Sequence, residues 1–556
     1  MSLPAPPTPS GGPRPMPASA PAAPGAGAAP SRNSPGPGAP TAPAPLHGPA
    51  LLLGTVSLSL ATFMNVLDSS IANVSIPAIA GDLGVSPNQG TWVITSFGVA
   101  NAISVPLTGW LVQRFGAVRL FIWSVLLFVL TSWLCGFASS LEWLVLFRVL
   151  QGLVAGPMIP LSQTLLMASY PREKVGLALA LWGMTTLVAP VVGPLLGGWI
   201  TDNISWPWIF YINVPVGLLA AGITWSIYRH RETPRRKLPI DGVGLGLLVL
   251  WVGALQLMLD KGKELDWFAS TEIVVLALVA LGGFVVFLVW ELTEAHPVVD
   301  LHLFGRRNFS FGVLALSVAY GLFFGNVVLM PLWLQQWMGY TATSAGMALA
   351  PVGLFAILLT PLVGKKVTVW DPRLMATGAF CIFALVLGMR SQFSTQTDMA
   401  HVLIPTVIQG VAMAFFFIPL TTITMAGLTP DKLPAASGLS NFVRITAGAM
   451  GTSIATTLWE SRAAMHHAHF TEMVGAGGAE SPLGATLAGL QSAGLGAAQA
   501  LAQVNRLVDQ QAFTRAADDI FAASAWVFLA LIGLIWFTRR PPRMAAGAKP
   551  MPSADH

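Results

Sequence analysis

Three charged residues lie inside long apolar stretches of this sequence: Asp68, Arg148 and Arg444. Asp68 belongs to the segment VLDSSIANVSIP and is the only charged residue between Leu51 and Ile79. A charged side chain at the centre of a membrane helix costs about 2.5–3.5 kcal/mol on insertion scales, so it faces a bundle interior rather than lipid. A carboxyl group there can bind a proton while its site is dry and release it when the site opens to water. We therefore predict that Asp68 carries protons; the alternative is a carboxylate near the outer mouth, solvated or paired with an arginine.

Each of the two arginines has an amide side chain one helical turn away. Gln151 follows Arg148 by three residues, and Asn441 precedes Arg444 by three, so each pair shares one helix face. We predict that Asp68, Arg148, Gln151 and Arg444 form the proton-coupling set. A structural role, in which the arginines bind backbone carbonyl groups, is the alternative for both of them.

Small residues recur at every fourth position of the segment APVVGPLLGG, and prolines lie between them. Such spacing lets another helix approach closely, and each proline removes a backbone donor and bends a helix. We predict a bending seam formed by Ala189, Pro190, Gly193, Pro194, Gly197 and Gly198.

The segment GWLVQRFGAVR predicts a tight loop at the inner membrane surface. Its candidate gating residues are Gly109, Arg114, Gly116 and Arg119. The glycines permit a sharp turn and the arginines can contact lipid headgroups. Anchoring of this loop by its positive charge alone explains the same residues.

Aromatic and amide residues predict a cavity for amphipathic ligands, because such cavities are mostly apolar with a few polar groups. The candidate residues are Asn73, Tyr320, Phe323, Asn326, Trp333, Phe416, Phe417 and Asn441. In MHHAHF, His466 and His469 lack carboxylates or cysteines at ligand spacing, so we predict no metal site. We predict no cofactor; protons are the coupling ion.

Composition places all of these residues in a membrane protein. The 556-residue chain is 54% hydrophobic and 10% charged, whereas soluble domains are about 25% charged. The net charge of +5 does not indicate nucleic acid, because the basic residues lie in short loops between apolar runs. The lipid bilayer is therefore a predicted partner of this apolar protein.

Fourteen apolar runs have about the length that crosses a bilayer. They lie approximately at 50–72, 91–112, 117–138, 143–168, 175–200, 208–228, 241–260, 271–291, 309–336, 342–364, 373–391, 401–425, 436–458 and 518–538. With the N-terminus inside, 21 of the 29 Lys and Arg residues fall in inner tails and loops. Six fall outside, and the remaining two, Arg148 and Arg444, lie within spans. The outer six are Lys261, Lys263, Arg390, Arg462, Arg506 and Arg515. This bias predicts that both termini are cytoplasmic.

The chain also repeats itself at a distance of eight spans. VLQGLVAGPMIPLS resembles VIQGVAMAFFFIPLT: Gln151 and Gln409 lie 258 residues apart, and Pro160 and Pro419 lie 259 apart. Two six-span halves with two inserted spans would produce that shift. The predicted organisation is a disordered Pro/Ala/Gly-rich tail (1–48), a six-helix bundle (50–228), two inserted helices (241–291), a second six-helix bundle (309–538) with a periplasmic segment (461–516), and a cytoplasmic tail (539–556).

Four motifs carry a resemblance to the fourteen-span drug/proton antiporters of the major facilitator superfamily. LDSSIANVSIP resembles the span 1 signature of that branch, RVLQG the span 4 motif, APVVGPLLGG the span 5 antiporter motif, and WPWIFYINVPVG the entry to span 6. The resemblance covers roughly residues 50–540. Gln113 stands where the family usually has an acidic residue in the loop between spans 2 and 3.

The resemblance implies an all-α integral membrane protein with the major facilitator fold and fourteen transmembrane helices. It implies a non-enzymatic function: export of hydrophobic or amphipathic toxic compounds in exchange for protons, with Asp68 as the coupling carboxylate. Pumps of this branch lie in the bacterial inner membrane and work with a periplasmic membrane-fusion adaptor and an outer-membrane channel, so both partners are expected. A dedicated metabolite or siderophore exporter on the same scaffold is the alternative. A facilitative importer would not need the span 5 motif, and a membrane enzyme would show clustered Asp, Glu and His at a membrane face.

Overall fold

The computed structural model describes residues 45–171, 174–235, 239–367, 369–475 and 482–540. Residues 1–44 of the predicted N-terminal tail (1–48) and residues 541–556 of the predicted C-terminal tail (539–556) lie outside the described residues. The described ranges contain helices and no β-strand, as the apolar runs predict.

Within the described residues, ten α-helices form the first half of the molecule. They are α1 (Gly48–Asp82), α2 (Pro87–Gly90), α3 (Trp92–Ser104), α4 (Thr108–Phe115), α5 (Ala117–Gly136), α6 (Leu141–Ala155), α7 (Met158–Ser169), α8 (Val175–Asn203), α9 (Trp208–Tyr211) and α10 (Asn213–Tyr228). Two inserted helices follow, α11 (Gly242–Lys261) and α12 (Thr271–Thr293).

Seven α-helices form the second half in the part of the chain that the structure describes. They are α13 (Arg307–Gln336), α14 (Ala342–Lys366), α15 (Pro372–Arg390), α16 (Met399–Thr424), α17 (Leu433–Gly475), α18 (Pro482–Ser492) and α19 (Ala497–Trp536). The predicted outer segment 461–516 is thus the end of α17, α18 and the start of α19. The inner side of the molecule is the side of the predicted cytoplasmic loops.

A proline lies at the break in two predicted spans of the first half, each of which is divided into two helices. Pro106 lies between α3 and α4, which meet at 63°. Gly156 and Pro157 separate α6 from α7. Proline has no backbone N–H to donate, so each break follows from the sequence.

The helix pairings of the first half recur in the second. Helix α1 packs on α8 and α10, as α13 packs on α17 and α19; likewise α5 packs on α6 and α10, as α15 packs on α16 and α19. Between the halves, α8 packs on α14, and α17 packs on α4 and α7. In these pairings within each half, every helix of the first half corresponds to the helix eight predicted spans later, which is the shift that the sequence repeat predicts.

Not all fourteen predicted spans meet a test of length and hydropathy. Within the described residues, eleven helices are long and apolar enough to cross a membrane, or up to twelve when the bent pair α3–α4 is one span. The other two predicted spans are α8, of which Val175–Thr186 is an apolar helix, and α17. Helix α17 falls short because its predicted span is rich in Gly, Ala, Ser and Thr. The fold is a multi-pass helical bundle, and the count of fourteen stays a prediction.

Candidate functional site

Asp68 lies in the core of the first half with its side chain fully buried. Arg148 Nη1 donates a hydrogen bond to Oδ2 over 2.6 Å, so the two residues form a buried ion pair. Gln151 Nε2 and Asn213 Nδ2 donate to Oδ1 over 3.2 and 2.8 Å. Three helices, α1, α6 and α10, therefore meet at one carboxylate, and every bond to it is donated, as an ionised acid requires.

Arg148 is held by neutral groups as well as by the carboxylate. Its Nε donates to Val93 O (2.9 Å), its Nη1 also donates to Gln151 Oε1 (2.6 Å), and its guanidinium lies 4.2 Å from the centre of the Phe97 ring. Nη2 is buried and has no hydrogen-bond partner in the described part of the chain. If the carboxylate loses its charge, Arg148 still keeps its bonds to Val93 O and Gln151 Oε1, and its Nη2 can form a further hydrogen bond. Both alternatives raised by the sequence, an acid partner and a carbonyl clamp, describe it.

Two members of this polar cluster are absent from the sequence-based set. Ser132 Oγ accepts hydrogen bonds from Gln151 Nε2 (2.6 Å) and Asn213 Nδ2 (3.2 Å), and both Ser132 and Asn213 are buried. They are uncharged and isolated in apolar runs, so charge did not single them out. Asn213 does lie in WPWIFYINVPVG, one of the motifs that carry the family resemblance.

The glycine seam of α8 packs against α1, the helix that carries Asp68. A Cβ atom added at Gly197 would lie 2.8 Å from Ile71 O, whereas one at Gly198 would meet its nearest neighbour, Val74 Cγ1, at 3.8 Å. Ser70 Oγ donates to Ala189 O over 3.4 Å, and Gly193 packs on the same serine. Small residues are therefore needed on the α1-facing side of α8. The side chains of Pro190, Pro194 and Asn73 lie outside the described residues.

The predicted gating loop closes around an acid from a distant part of the chain. Glu232, in the segment after α10, accepts hydrogen bonds from the backbone N–H groups of Val118 (3.0 Å) and Arg119 (2.9 Å) at the start of α5. Gly116 has φ +89°, and a Cβ atom there would collide with the Glu232 side chain. Arg114 lies in the last turn of α4. The carboxylate thus satisfies two free donors at a helix N-terminus.

Gly109 marks a close approach of the two halves on the inner side. A Cβ atom at Gly109 would lie 2.6 Å from Ala435 Cβ, and one at Gly438 would lie 3.0 Å from Val105 O. Helix α17 therefore packs backbone to backbone on the broken span α3–α4.

Arg444 belongs to a different polar cluster from Asp68. Its Nη2 donates to Asn441 Oδ1 over 2.7 Å, and its guanidinium lies 4.4 Å from the centre of the Tyr320 ring and 5.5 Å from that of Phe417. Asn441 Nδ2 in turn donates to Gln163 Oε1 of the first half over 3.1 Å. Of the predicted cavity residues, Tyr320, Phe417 and Asn441 are thus brought together at the contact between halves.

Four other predicted cavity residues, Phe323, Asn326, Trp333 and Phe416, pack within the second half. Trp333 is buried, donates to Thr514 Oγ1 (3.0 Å) and stacks on Phe393. Phe416 is fully buried. The remaining contacts pair Phe323 with Phe383, Phe416 with Phe383, and Asn326 Nδ2 with Ser524 Oγ at 3.2 Å.

Arg390 was assigned to an outer loop from the sequence, and that assignment is wrong. Its side chain is 1% exposed, and its Nη2 donates to Gln409 Oε1 (2.7 Å) and Thr406 Oγ1 (3.2 Å). Its Nε is buried and unpartnered, and the ion pairs of the described residues do not include it. The residue lies in the last turn of α15, where hydropathy alone cannot separate a span from its loop.

The histidine segment pairs with acids of α19. His466 Nε2 lies 2.9 Å from Asp519 Oδ2, and His467 Nδ1 lies 2.7 Å from Asp509 Oδ1. In the described ranges no group of three His, Cys, Asp or Glu side chains could hold a metal ion. These pairs join the outer parts of α17 and α19.

Comparison with known proteins agrees with this architecture. The family model of the Major Facilitator Superfamily matches residues 58–452, which is more than half of the chain. The chain belongs to the Major Facilitator Superfamily. It is similar to the multidrug export protein EmrB of Escherichia coli strain K12, at 51% identity over 504 residues (90% of this chain and 98% of that protein). EmrB of Haemophilus influenzae is 52% identical over 499 residues, 89% of this chain and 97% of that protein.

Two further relatives of this superfamily member extend the comparison. The fatty acid resistance protein FarB of Neisseria gonorrhoeae is 49% identical over 507 residues, 90% of this chain and 99% of that protein. The crystal structure of the human organic anion transporter MFSD10 matches with a TM-score of 0.55 at 12% identity, covering 88% of this chain and all of that one. The structural match supports the fold alone. Together with the apolar helices, these relations make the chain an EmrB-like multi-pass membrane transporter.

Proposed function

We propose that this transporter exports hydrophobic and amphipathic toxic compounds in exchange for protons. The single observation that carries the proposal is the fully buried Asp68 carboxylate, bound by Arg148, Gln151 and Asn213. Intramembrane carboxylates of this kind mark proton pathways in transporters. The names of the relatives, multidrug export and fatty acid resistance, supply the substrate class.

The exchange follows from the charge on Asp68. A proton that enters from the outer side neutralises the carboxylate and removes the ionic part of its contact with Arg148. Arg148 keeps its bonds to Val93 O and Gln151 Oε1, so the guanidinium stays anchored on the α3–α6 side while α1 is released. Movement of the halves then exposes Asp68 to the inner side, where the proton leaves and the ion pair forms again. Substrate moves outward in the opposite half of the cycle.

The energy available is sufficient for such an exchange. One charge that crosses a potential of 100 mV supplies about 2.3 kcal/mol, and a proton gradient adds to that. Because each 1.4 kcal/mol is a factor of about ten in an equilibrium, the potential alone supports a concentration ratio of more than tenfold for an uncharged substrate.

Proton release driven by substrate tests this function. We expect purified protein in liposomes to release protons when a hydrophobic dye such as ethidium is added, and Asp68→Asn to abolish the release while dye binding persists. Asp82→Asn is the matched control: it makes the same chemical change on α1, at an exposed carboxylate that accepts a bond from Trp206 Nε1. Equal release from Asp68→Asn and the parent would overturn the proposal.

We further propose that the transporter acts in the inner membrane of a bacterium with a periplasmic membrane-fusion adaptor and an outer-membrane channel. Support comes from the similarity to EmrB and from helices α17 and α19, which continue past their predicted spans on the outer side. Co-purification of a co-expressed periplasmic membrane-fusion adaptor, with the whole chain and with residues 461–516 replaced by a short linker, tests the assembly. Equal recovery by both forms would exclude this segment as the docking surface.

A further inference from the structure

Gln163, on the inner half of predicted span 4, joins the two halves through its side chain. It is 3% exposed, and its Oε1 accepts hydrogen bonds from Ser437 Oγ and from Asn441 Nδ2, the latter over 3.1 Å. Ser437 Oγ also lies 3.4 Å from Pro160 O, one turn earlier on α7. A buried amide oxygen that accepts from two donors of the other half is a specific contact between the halves. Asn441 Nδ2 also donates to Ser437 O (2.8 Å) within its own helix, so it keeps an acceptor when the contact opens.

These bonds lie at a close contact between the two halves. Gly109 contacts Ala435, and Gly438 contacts Val105 O, on either side of Ser437 along α17. A Cβ atom at Gly109 would collide with Ala435, and one at Gly438 would be crowded by Val105 O, so the inner side is closed here by close backbone contact. An opening of the inner side has to separate α17 from α7, and the Gln163 bonds break when it does.

The Gln163 contact continues into the aromatic cluster of the second half. Asn441, which donates to Gln163, accepts from Arg444 Nη2 over 2.7 Å. Arg444 lies over the rings of Tyr320 and Phe417. A ligand that draws the guanidinium away from these rings changes the orientation of Asn441 and hence its bond to Gln163.

On the other side, Gln163 shares a predicted span with the partners of Asp68. Arg148 and Gln151 lie on α6, Gln163 lies on α7, and the two helices are separated at Gly156–Pro157. Gly156 packs on Ser104, which donates to Leu153 O, so the break itself is tightly held by α3. A change in the tilt of α6, caused by the loss of the ion pair, is therefore passed to α7 through a fixed joint.

We propose that Gln163 is the positioning residue that keeps the inner side closed and releases it when Asn441 is drawn towards a ligand at Arg444; this inference rests on the proposed exchange of substrate for protons. It assigns a role to an amide that lies in neither the Asp68 cluster nor the predicted cavity. Ser437 and Asn441 are its partners, and Arg444 is the residue through which a ligand acts.

The test measures the separation of the inner ends of the two halves. Phe115 at the end of α4 and Leu374 at the start of α15 are exposed; the pair Phe115→Cys and Leu374→Cys carries spin labels in a Cys381→Ser background, because Cys381 is exposed and Cys135 buried. Double electron–electron resonance in lipid nanodiscs then gives the fractions of closed and open protein. We expect Gln163→Ala to raise the open-to-closed ratio about tenfold, since it removes two hydrogen bonds across the contact.

Two comparisons separate a positioning role from general destabilisation. Asn441→Ala in the Gln163→Ala background should add less than it does alone, because the bond between them is already lost. Ser162→Ala is the matched control: Ser162 is buried on the same helix and accepts bonds from Thr62 and Trp182, both within the first half. We expect it to leave the distance distribution unchanged.

The test of the role of Gln163 does not depend on whether the protein exchanges protons. An unchanged ratio in Gln163→Ala, or an equal shift in Ser162→Ala, would overturn the role of Gln163 even if Asp68→Asn abolishes proton release. A shift confined to Gln163→Ala and Asn441→Ala, with proton release unaffected by Asp68→Asn, would retain the closure and refute the proton exchange instead.

Discussion

The two halves of the molecule share four buried polar positions, and three of these hold different residues in the two halves. Four positions of the first half each have a counterpart 258 residues later, and every pair is buried. The pairs are Asp68 and Asn326, Ser132 and Arg390, Arg148 and Thr406, and Gln151 and Gln409. Both halves hold an arginine against the same glutamine: Arg148 on Gln151 and Arg390 on Gln409.

Two changes distinguish the second half. The acid is replaced by the neutral Asn326, and the arginine has moved from the α6 position to the counterpart of Ser132, on the neighbouring helix. In the first half the arginine meets a carboxylate from α1, and in the second it meets only neutral oxygens among its described hydrogen-bond partners. The repeated scaffold therefore holds an arginine–carboxylate pair in the first half and an arginine bound by neutral groups in the second.

The largest difference is expected when each arginine is removed. Arg148→Met leaves Asp68 buried without its cation, and breaking a buried pair in this way costs about 3–5 kcal/mol. Arg390→Met removes a charge that has no acid within 4 Å in the described residues, so we expect the loss of hydrogen bonds only, about 1 kcal/mol. Thermal unfolding in one detergent measures both. Equal losses would mean that the second half contains a counter-charge which balances Arg390.

A smaller effect is expected at the glycine seams, which both halves share. A Cβ atom at Gly197 would lie 2.8 Å from Ile71 O of α1, and one at Gly325 of α13 would lie 2.7 Å from Gly451 O of α17. We expect Gly197→Ala and Gly325→Ala each to destabilise by about 1–3 kcal/mol through overpacking. Gly198→Ala, one residue along on α8, is the control and should be neutral, because an added Cβ atom would meet its nearest neighbour, Val74 Cγ1, at 3.8 Å. If Gly325→Ala alone is tolerated, the two seams are not equivalent.

The smallest effect concerns the inner ends of α5 and α15, which occupy equivalent places in the two halves. Glu232 caps α5 from a distant segment, whereas Asp371 is the N-cap of its own helix α15 and pairs with Arg373 and Arg540. Burial raises the pKa of Asp371, but the hydrogen bonds and charges of the arginines outweigh it and hold the pKa below its usual value. The stabilisation is therefore present above the unfolded pKa, about 3.9, and is lost as the pH falls through the folded pKa.

At neutral pH we expect Asp371→Asn to destabilise by about 0.5–1 kcal/mol. Glu232→Gln should cost more, because Glu232 closes a long connection and no side chain on α5 replaces it. Unfolding at pH 7 and pH 4 measures both. A larger loss for Asp371→Asn at the lower pH would contradict a lowered pKa for this carboxyl group.

Sequence reasoning found those features that depend on local composition. Apolar runs predicted the helices, and charge within them singled out Asp68 and Arg148, which the structure places in contact. Asn213 and Ser132 were missed because neutral polar residues are common in membrane helices, and only packing shows which of them face a carboxylate. Arg390 was misplaced for a related reason: a charge near the end of an apolar run is ordinarily in a loop, and its burial depends on Gln409 from another helix. The offset of 258 residues, applied position by position, would have pointed to it.

The span count shows a different limit. Helix α17 is a continuous helix, yet its inner half is rich in small and hydroxyl residues because it packs backbone to backbone on the other half. Small residues permit tight helix contact, but they also lower the mean hydropathy of the same positions. A helix that packs backbone to backbone on the other half therefore falls below a hydropathy threshold even when it is long enough to cross a bilayer.

The length of α17 has a mechanical consequence. Its 43 residues extend about 64 Å at 1.5 Å per residue, twice the hydrocarbon thickness of about 30 Å. Its inner end sits against Gly109 and Gln163, and histidine–aspartate pairs tie its far end to α19. A stiff rod pivoting by about 10° within the bilayer would swing its outer tip by several ångströms, about 5 Å for a 30 Å arm. Each transport cycle that tilts α17 would thus move its outer end by several ångströms on the far side of the membrane.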